Sequence, residues 1–200
     1  MTLLPVALNL ENRAILIVGG GSVAARKAAV FIEAGARVTV VAPDLQVGFP
    51  GVEFHKKSYE SSDISDFFLI CACTDSKEVN AQVGRDARSQ KIICNIVDDP
   101  QSSDFHTAAT IRRGEIAIGI STGAVSPVLS RYIKAEIEEC VGQEFEMLLE
   151  IAGSYHIETK MRGAFWRQVL ASEILPCLRA GEREKAVQKL EFVVKSLAQS

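Results

Sequence analysis

The sequence predicts an α/β fold: a parallel sheet covered on both faces, then a small strand–helix module, then an all-helical C-terminal domain. Three observations carry this expectation. Up to about Val97 the chain alternates apolar runs with helical stretches, the βαβα order of a parallel sheet. Three consecutive glycines, Gly19, Gly20 and Gly21, separate the first apolar run from the first helix. From about Arg113 the character changes, and beyond Gly142 the text is helical and charged, without strand-like alternation. The expected ranges are residues 1–112, 113–142 and 143–200.

Each element has a local reason. "RAILIVG" and "ARVTVVA" are the first two strands. Between them "SVAARKAAVFIEAG" places Ala24, Ala28, Phe31 and Ile32 at helical spacing and closes on Gly35, a natural helix end. A short "VEFH", the apolar "DFFLICAC" and "KIICNIV" follow as strands, and their near-continuous hydrophobicity suits a sheet with two covered faces. The helix between the last two begins after Thr74, Asp75 and Ser76, all good capping types. "GEIAIGIST" is a further strand, short, apolar and outside the main alternation, so it needs a partner edge. A helix starts at Pro127, with Ser126 as its cap. The tail predicts three or four helices, broken near Gly163, Pro176 and Gly181.

Bulk properties exclude several classes. A net charge of -3 and a pI near 5.7 argue against nucleic acid as a partner, which usually demands a basic face. No stretch approaches the roughly 18 apolar residues that would cross a membrane. The start, "MTLLPVALNLENR", lacks the basic residues and apolar run of a secretory signal. Five cysteines form an odd set without disulfide or zinc-ribbon spacing, so a cytoplasmic location is expected. Cys71 and Cys73 share one strand face and Cys94 lies on a probable neighbour. Sheet-core thiols are expected there rather than a thiolate metal site, and no metal ligand is assigned.

Gly19, Gly21 and Ala24 fit G-x-G-x-x-G/A, placed after a strand and at the opening of a helix. The first glycine allows the tight turn, the second lets a pyrophosphate approach the backbone, and Ala24 keeps helix and strand close. The helix N-terminus then offers free N–H groups and partial positive charge to an anion. No G-K-S/T closes the turn, which disfavours ATP. This is a Rossmann-type dinucleotide site, with Gly19, Gly20, Gly21, Ser22, Val23, Pro43 and Asp44 as candidate contacts; a close-packed strand–helix corner is the bland alternative. The acid that would hold the adenosine ribose is Asp44, slightly late after the second strand, and it could equally be a solvated turn residue. No arginine stands there to meet a 2′-phosphate, which favours NAD.

A second constellation is "CNIVDDPQSSDFHTAATIRRG". Asp98 and Asp99 follow a strand on the edge where ligands meet such sheets. An acid there can accept a substrate proton if partial burial tunes it, and His106 lies close enough in sequence to share proton handling. Against this, "DDP" is ordinary turn chemistry.

"LPVALNLENRAILIVGGGSVAARKAAVFIEAGARVTVVAPD", "CACTDSKEVNAQV", "CNIVDD" and "FHTAATIRRGEIAIGISTGAVSPVLSRYIKAEIE" together resemble the precorrin-2 dehydrogenase/sirohydrochlorin ferrochelatase family. That family includes the N-terminal part of siroheme synthase. The resemblance spans about Leu4 to Glu138, and "ISTGAVSP" is its most diagnostic stretch. With no methyltransferase segment following, the chain resembles the stand-alone form. The resemblance implies that NAD takes a hydride from precorrin-2 while a proton is lost, giving sirohydrochlorin. It implies that Asp98, in the N-x-V-D stretch, is the general base, and it leaves iron insertion, with Fe2+ as substrate, open. The family's second serine is Thr122 here and its G-G is Gly123-Ala124. It also implies a homodimer formed through "GEIAIGIS" and the helix carrying Leu129, Tyr132, Ile133 and Ile137.

Precorrin-2 bears many carboxylates, so its site needs cations, and the planar fork of arginine suits them. Arg112, Arg113, His106, Ser121, Thr122 and Gly123 are the candidate substrate contacts; Arg131 and Lys134 are further cations nearby in sequence. A different class of function, an NAD-sensing module without catalysis, would use the glycine turn but would have no use for "NIVDD", "ISTGAVSP" and the arginines between them.

Overall fold

The computed structural model describes residues 3–198. Residues 1–2 and 199–200, the outer limits of the expected ranges, lie outside the described residues. The chain divides into two compact units between Thr107 and Ala108.

The first unit contains β1 (Ala14–Val18), α1 (Ser22–Glu33), β2 (Arg37–Ala42), β3 (Glu53–Lys56), a 3-10 turn (Ser61–Ile64), β4 (Leu69–Ala72), α2 (Lys77–Ser89) and β5 (Ile93–Ile96). The strands form one parallel sheet in the order β3-β2-β1-β4-β5. The connection reverses direction across the sheet between β1 and β4. Alternate side chains feed two separate cores. Ile15, Ile17, Val38, Val40, Leu69 and Cys71 pack with Ala24, Ala28 and Phe31 of α1. Leu16, Val18, Val41, Ile70, Ala72, Cys94 and Ile96 pack with Val83 and Ala87 of α2 and with Ile64. Full burial of such a side chain is worth about 1.5–3 kcal/mol, so a one-residue slip in β1 would expose both cores at once.

The helix ends follow from sequence. Gly35 takes φ 80 just past α1, and Ala36 N–H reaches back to Phe31 O at 3.0 Å. Ser76 Oγ caps α2 by accepting from Val79 N–H at 3.3 Å. The cysteines divide between the two faces, because Cys71 and Cys73 lie in the α1-side core and Cys94 in the α2-side core. Burial pushes the Cys94 thiol up to about 12, keeping it protonated.

The second unit starts with a hairpin of β6 (Ala109–Arg113) and antiparallel β7 (Ile116–Ile120). It continues through α3 (Pro127–Cys140), α4 (Glu144–Gly153), a 3-10 turn (Thr159–Met161), α5 (Arg162–Leu170), α6 (Ile174–Arg179) and α7 (Arg183–Ala198). β6 is the partner edge that β7 requires. Its sequence hides it, since Ile111 is its only fully buried residue. The breaks expected near Gly163 and Pro176 are present: α5 begins at Arg162, just before Gly163, and residues 171–173 separate α5 from α6, whose first turn contains Pro176. Proline is tolerated there because first-turn N–H groups have no partner within the helix. Gly181, with φ 75, separates α6 from α7. Leu148, Ile151, Phe165, Val169, Ile174, Leu178, Leu190 and Val193 form this unit's core. Among the described residues no helix is long and apolar enough to cross a membrane.

Between β7 and α3 the chain makes a turn with φ 62 at Gly123 and φ 65 at Ala124, closed by Val125 N–H to Thr122 O at 3.1 Å. Two positive φ angles define a type I′ turn, which suits glycine at both central places. Ala124 pays the steric cost of the left-handed region. Replacing Ala124 with Gly is therefore expected to stabilise the protein by about 0.5–1 kcal/mol. A denaturant titration checks this, and an unchanged or lower midpoint contradicts it.

Candidate functional site

Because all strands of the first unit are parallel, their C-terminal ends share one sheet edge. The ladder continues one residue beyond the strands: Gly19 N–H bonds Val41 O at 2.9 Å, Cys73 N–H bonds Val18 O at 2.7 Å, and Val97 N–H bonds Ala72 O at 2.9 Å. The loops after β1, β2, β4 and β5 therefore begin side by side. They carry Gly19–Val23, Pro43 and Asp44, Thr74, and Asp98.

The three glycines differ in what each permits. Gly19 has φ 129, and a Cβ there would collide with the Cys73 carbonyl. A Cβ on Gly20 would collide with the Asp44 carbonyl oxygen. At Gly21 a Cβ would meet only Gln46 Oε1, at 3.4 Å. Gly19 and Gly20 thus allow main chains to touch, while Gly21 leaves the approach to α1 open. Gly21 is also the N-cap of α1, with no side-chain capping bond and no acid in the first turn. The first helical bond runs from Ala25 N–H to Gly21 O at 3.0 Å, so the N–H groups of Ser22, Val23 and Ala24 have no partner within the helix. An uncapped, acid-free N-terminus with an open approach suits a pyrophosphate.

Asp44 comes late after β2, yet the fold brings it to the turn. Its carbonyl packs on Gly20, and Gln46 N–H bonds Gly20 O at 2.9 Å, so the chain after β2 folds back over the glycines. Its carboxylate is exposed and lies 3.5 Å from Lys56 Nζ at the end of β3. Lys56 was not singled out from the sequence, because only the pairing of β2 with β3 brings it there. Thr74, beside Gly19, was also missed. Buried Asn80 locks it by accepting from Thr74 N–H at 3.0 Å and donating to Thr74 O at 2.9 Å. The available signal was a polar residue three positions before Val83 on the apolar side of α2.

Next to Gly19, the neighbouring Cys71 thiol, with the Lys27 and Arg26 charges, holds the Cys73 thiol below its usual range against the effect of burial. Lys27 Nζ also donates to Thr107 Oγ1 at 3.5 Å.

The loop after β5 folds back along that strand's free edge. Asp104 accepts from Cys94 N–H at 2.9 Å, Ser103 Oγ accepts from Ile96 N–H at 2.9 Å, and Asn95 Nδ2 donates to Phe105 O at 2.8 Å. Asp99 accepts from Ser102 N–H at 3.1 Å, and its bonds to Ser102 hold its carboxyl below the usual range. These contacts leave Asp98 at the tip, with φ 61, in a turn closed by Asp99 N–H to Ile96 O at 3.3 Å. A left-handed φ is uncommon outside glycine and best tolerated by Asn and Asp. Asp98 is exposed, so the partial burial that could have tuned it is not provided here. It stands two strands, about 10 Å, from the glycine turn. His106 is half-buried, and its Nε2 is covered without a hydrogen-bond partner.

The remaining candidates belong to the second unit. Arg113 donates through Nε to Val141 O at 3.0 Å, tying the hairpin to the end of α3, and Arg112 is exposed beside it. Ser121 Oγ accepts from Gly123 N–H at 3.2 Å, and Thr122 Oγ1 bonds both the N–H and the carbonyl of Ser126. These hydroxyls shape the type I′ turn.

Residues 6–109 match a family model described as "Putative NAD(P)-binding". The chain is 32% identical over 204 residues to a siroheme synthase of Nitrosococcus oceani, covering 96% of this chain and 44% of that one. It is 35% identical over 203 residues to a siroheme synthase of Methylococcus capsulatus, covering 95% and 43%. It thus spans less than half the length of the curated relatives it matches. Among solved structures it is similar to one titled "SirC, precorrin-2 dehydrogenase", with a TM-score of 0.75 and 22% identity over 94% of this chain and 99% of that one.

The glycine geometry separates two kinds of variant. Gly20→Ala forces main chain from main chain and is expected to cost about 2 kcal/mol or more of stability. Gly21→Ala is expected to fold with a near-normal melting point yet bind NAD at least about tenfold more weakly. Thermal melts and calorimetric titration on both variants check this; equal behaviour of the two contradicts it.

Proposed function

The chain belongs to the NAD(P)-binding family whose model spans residues 6–109, and from that premise we propose that it is an NAD-dependent oxidoreductase converting precorrin-2 to sirohydrochlorin. The observation that carries the reading is the pairing, on one sheet edge, of an open, uncapped helix N-terminus behind Gly21 with the exposed Asp98 carboxylate. A sensing module needs only the first of these. The siroheme synthase names of the relatives, and the precorrin-2 dehydrogenase title of the structural neighbour, support this choice of substrate.

The hydride acceptor would be supplied by bound NAD. The chain's part is to hold the cofactor and take the proton. The N–H groups of Ser22, Val23 and Ala24 would hold the pyrophosphate, which Gly21 would admit. Asp44, with Pro43 beside it, would accept from the adenosine ribose. Asp98, at the tip of the loop after β5, removes the proton that accompanies hydride loss. Within the first unit His106, and within the second Arg112, Arg113, Ser121, Thr122 and Gly123, are each proposed contacts for the macrocycle and its carboxylates. Iron insertion is a second proposed step, in which Fe2+ as substrate displaces two pyrrole protons, Asp98 accepting one and solvent the other.

A homodimer built through the second unit is part of the same reading. α3 and the turn before it leave Val125, Val128 and Tyr132 exposed at 86%, 67% and 62%, beside the half-exposed Leu129. Clustered apolar exposure of this kind favours a partner surface. The five free cysteines suit a reducing cytoplasm.

Two measurements test these roles. Asp98→Asn keeps a residue that tolerates left-handed φ while removing the base. It is expected to lower turnover of precorrin-2 by about 10²-fold or more with NAD affinity unchanged; full turnover removes Asp98 from the mechanism. Tyr132→Glu is expected to convert a dimer to a monomer in sedimentation analysis at micromolar concentration. A wild-type monomer, or a dimer indifferent to the change, contradicts the interface.

A further inference from the structure

The adenosine end of the proposed cofactor site contains a cation that the sequence did not place there. In folds of this kind the residue after β2 reads the ribose: an acid accepts from a 2′-hydroxyl, and a cation accommodates a 2′-phosphate. Here both are present and touch each other. Asp44 follows β2, and Lys56 ends β3, where the register sets it opposite Ala42. Their side chains are 3.5 Å apart, with 80% of Asp44 and 70% of Lys56 exposed. The neighbouring lysine is already engaged, since Lys57 Nζ lies 2.8 Å from Asp63 and 3.1 Å from Glu60. The Asp44 main chain is pinned on Gly20, so the pair keeps a set distance from the pyrophosphate end.

Resting on the dinucleotide reading above, we infer that Asp44 and Lys56 form the NAD/NADP selector, in which Asp44 both repels a 2′-phosphate and occupies the lysine that would otherwise bind it. The side chains are solvated, so the ion pair itself is weak, and Asp44 keeps a 2′-phosphate from Lys56 chiefly by its own charge; without that charge Lys56 can turn toward the phosphate. A 2′-phosphate carries more charge than a carboxylate and is the better partner for an ammonium. Lys56 is therefore a latent phosphate site, with Asp44 as the residue that keeps it latent. Removing the Asp44 charge should do two things together: weaken the hold on the 2′-hydroxyl of NAD and expose a cation to NADP.

The test is calorimetric titration of the full chain with NAD+ and with NADP+, on wild type, Asp44→Asn, Lys56→Gln and the double variant. Both substitutions are at exposed positions, and circular dichroism checks that each of the three variants is folded. The wild type is expected to prefer NAD+. Asp44→Asn is expected to shift the affinity ratio toward NADP+ by about tenfold, and adding Lys56→Gln should cancel that shift. A ratio that moves by less than about twofold in Asp44→Asn, or that ignores Lys56→Gln in its background, overturns the selector. Folded wild type that binds neither dinucleotide overturns the cofactor reading itself, and the selector with it. Binding of NAD+ with an unmoved ratio overturns the selector alone.

Discussion

The constraint on which the rest depends is the absence of side chains at Gly19 and Gly20. Main chain lies against main chain at both places, Gly19 on the Cys73 carbonyl and Gly20 on the Asp44 carbonyl. Those approaches draw the loops after β1, β2 and β4 together over the sheet edge. They also aim the start of α1 outward, with its first N–H groups free. A methyl group at either position would separate these loops, and with them the anion site, the ribose acid and the lysine beside it.

Around this corner the two halves of the candidate chemistry are held by different means. The cofactor side rests on close packing, with Ala24, Ala28 and Phe31 fastening α1 to the sheet. The Asp98 side rests on hydrogen bonds, because β5 is an edge strand and the following loop supplies Ser103 and Asp104 in place of a neighbour. That loop covers an otherwise unpaired edge while presenting Asp98 at its tip in a left-handed conformation. Backbone strain of this kind is found where surroundings over-determine a residue and function uses it. The loop thus has a structural job and, in the proposed reaction, a chemical one.

Much of this was legible in the sequence because it depended on local pattern. The strands of the parallel sheet are near-continuous apolar runs, Gly35 and Ser76 end and begin helices by their own chemistry, and Pro127 marks the start of α3. What escaped was what only three-dimensional neighbours reveal. β6 contains a single fully buried residue and gives no strand signal without β7 beside it. Lys56 enters the cofactor edge only through β2–β3 pairing, and Cys94 leaves the company of Cys71 and Cys73 only through strand alternation. The exposure of Asp98 was equally invisible, since it follows from how the loop returns along β5.

The central claim is that this sheet edge joins a hydride acceptor to a macrocycle, rather than merely binding a nucleotide. The most direct measurement is the stoichiometry of an anaerobic reaction of the full chain with precorrin-2 and NAD+, following NADH and the macrocycle together. One NADH formed for each sirohydrochlorin is the predicted result. Tight binding of NAD+ with no NADH formed, while the macrocycle stays unchanged, would contradict it.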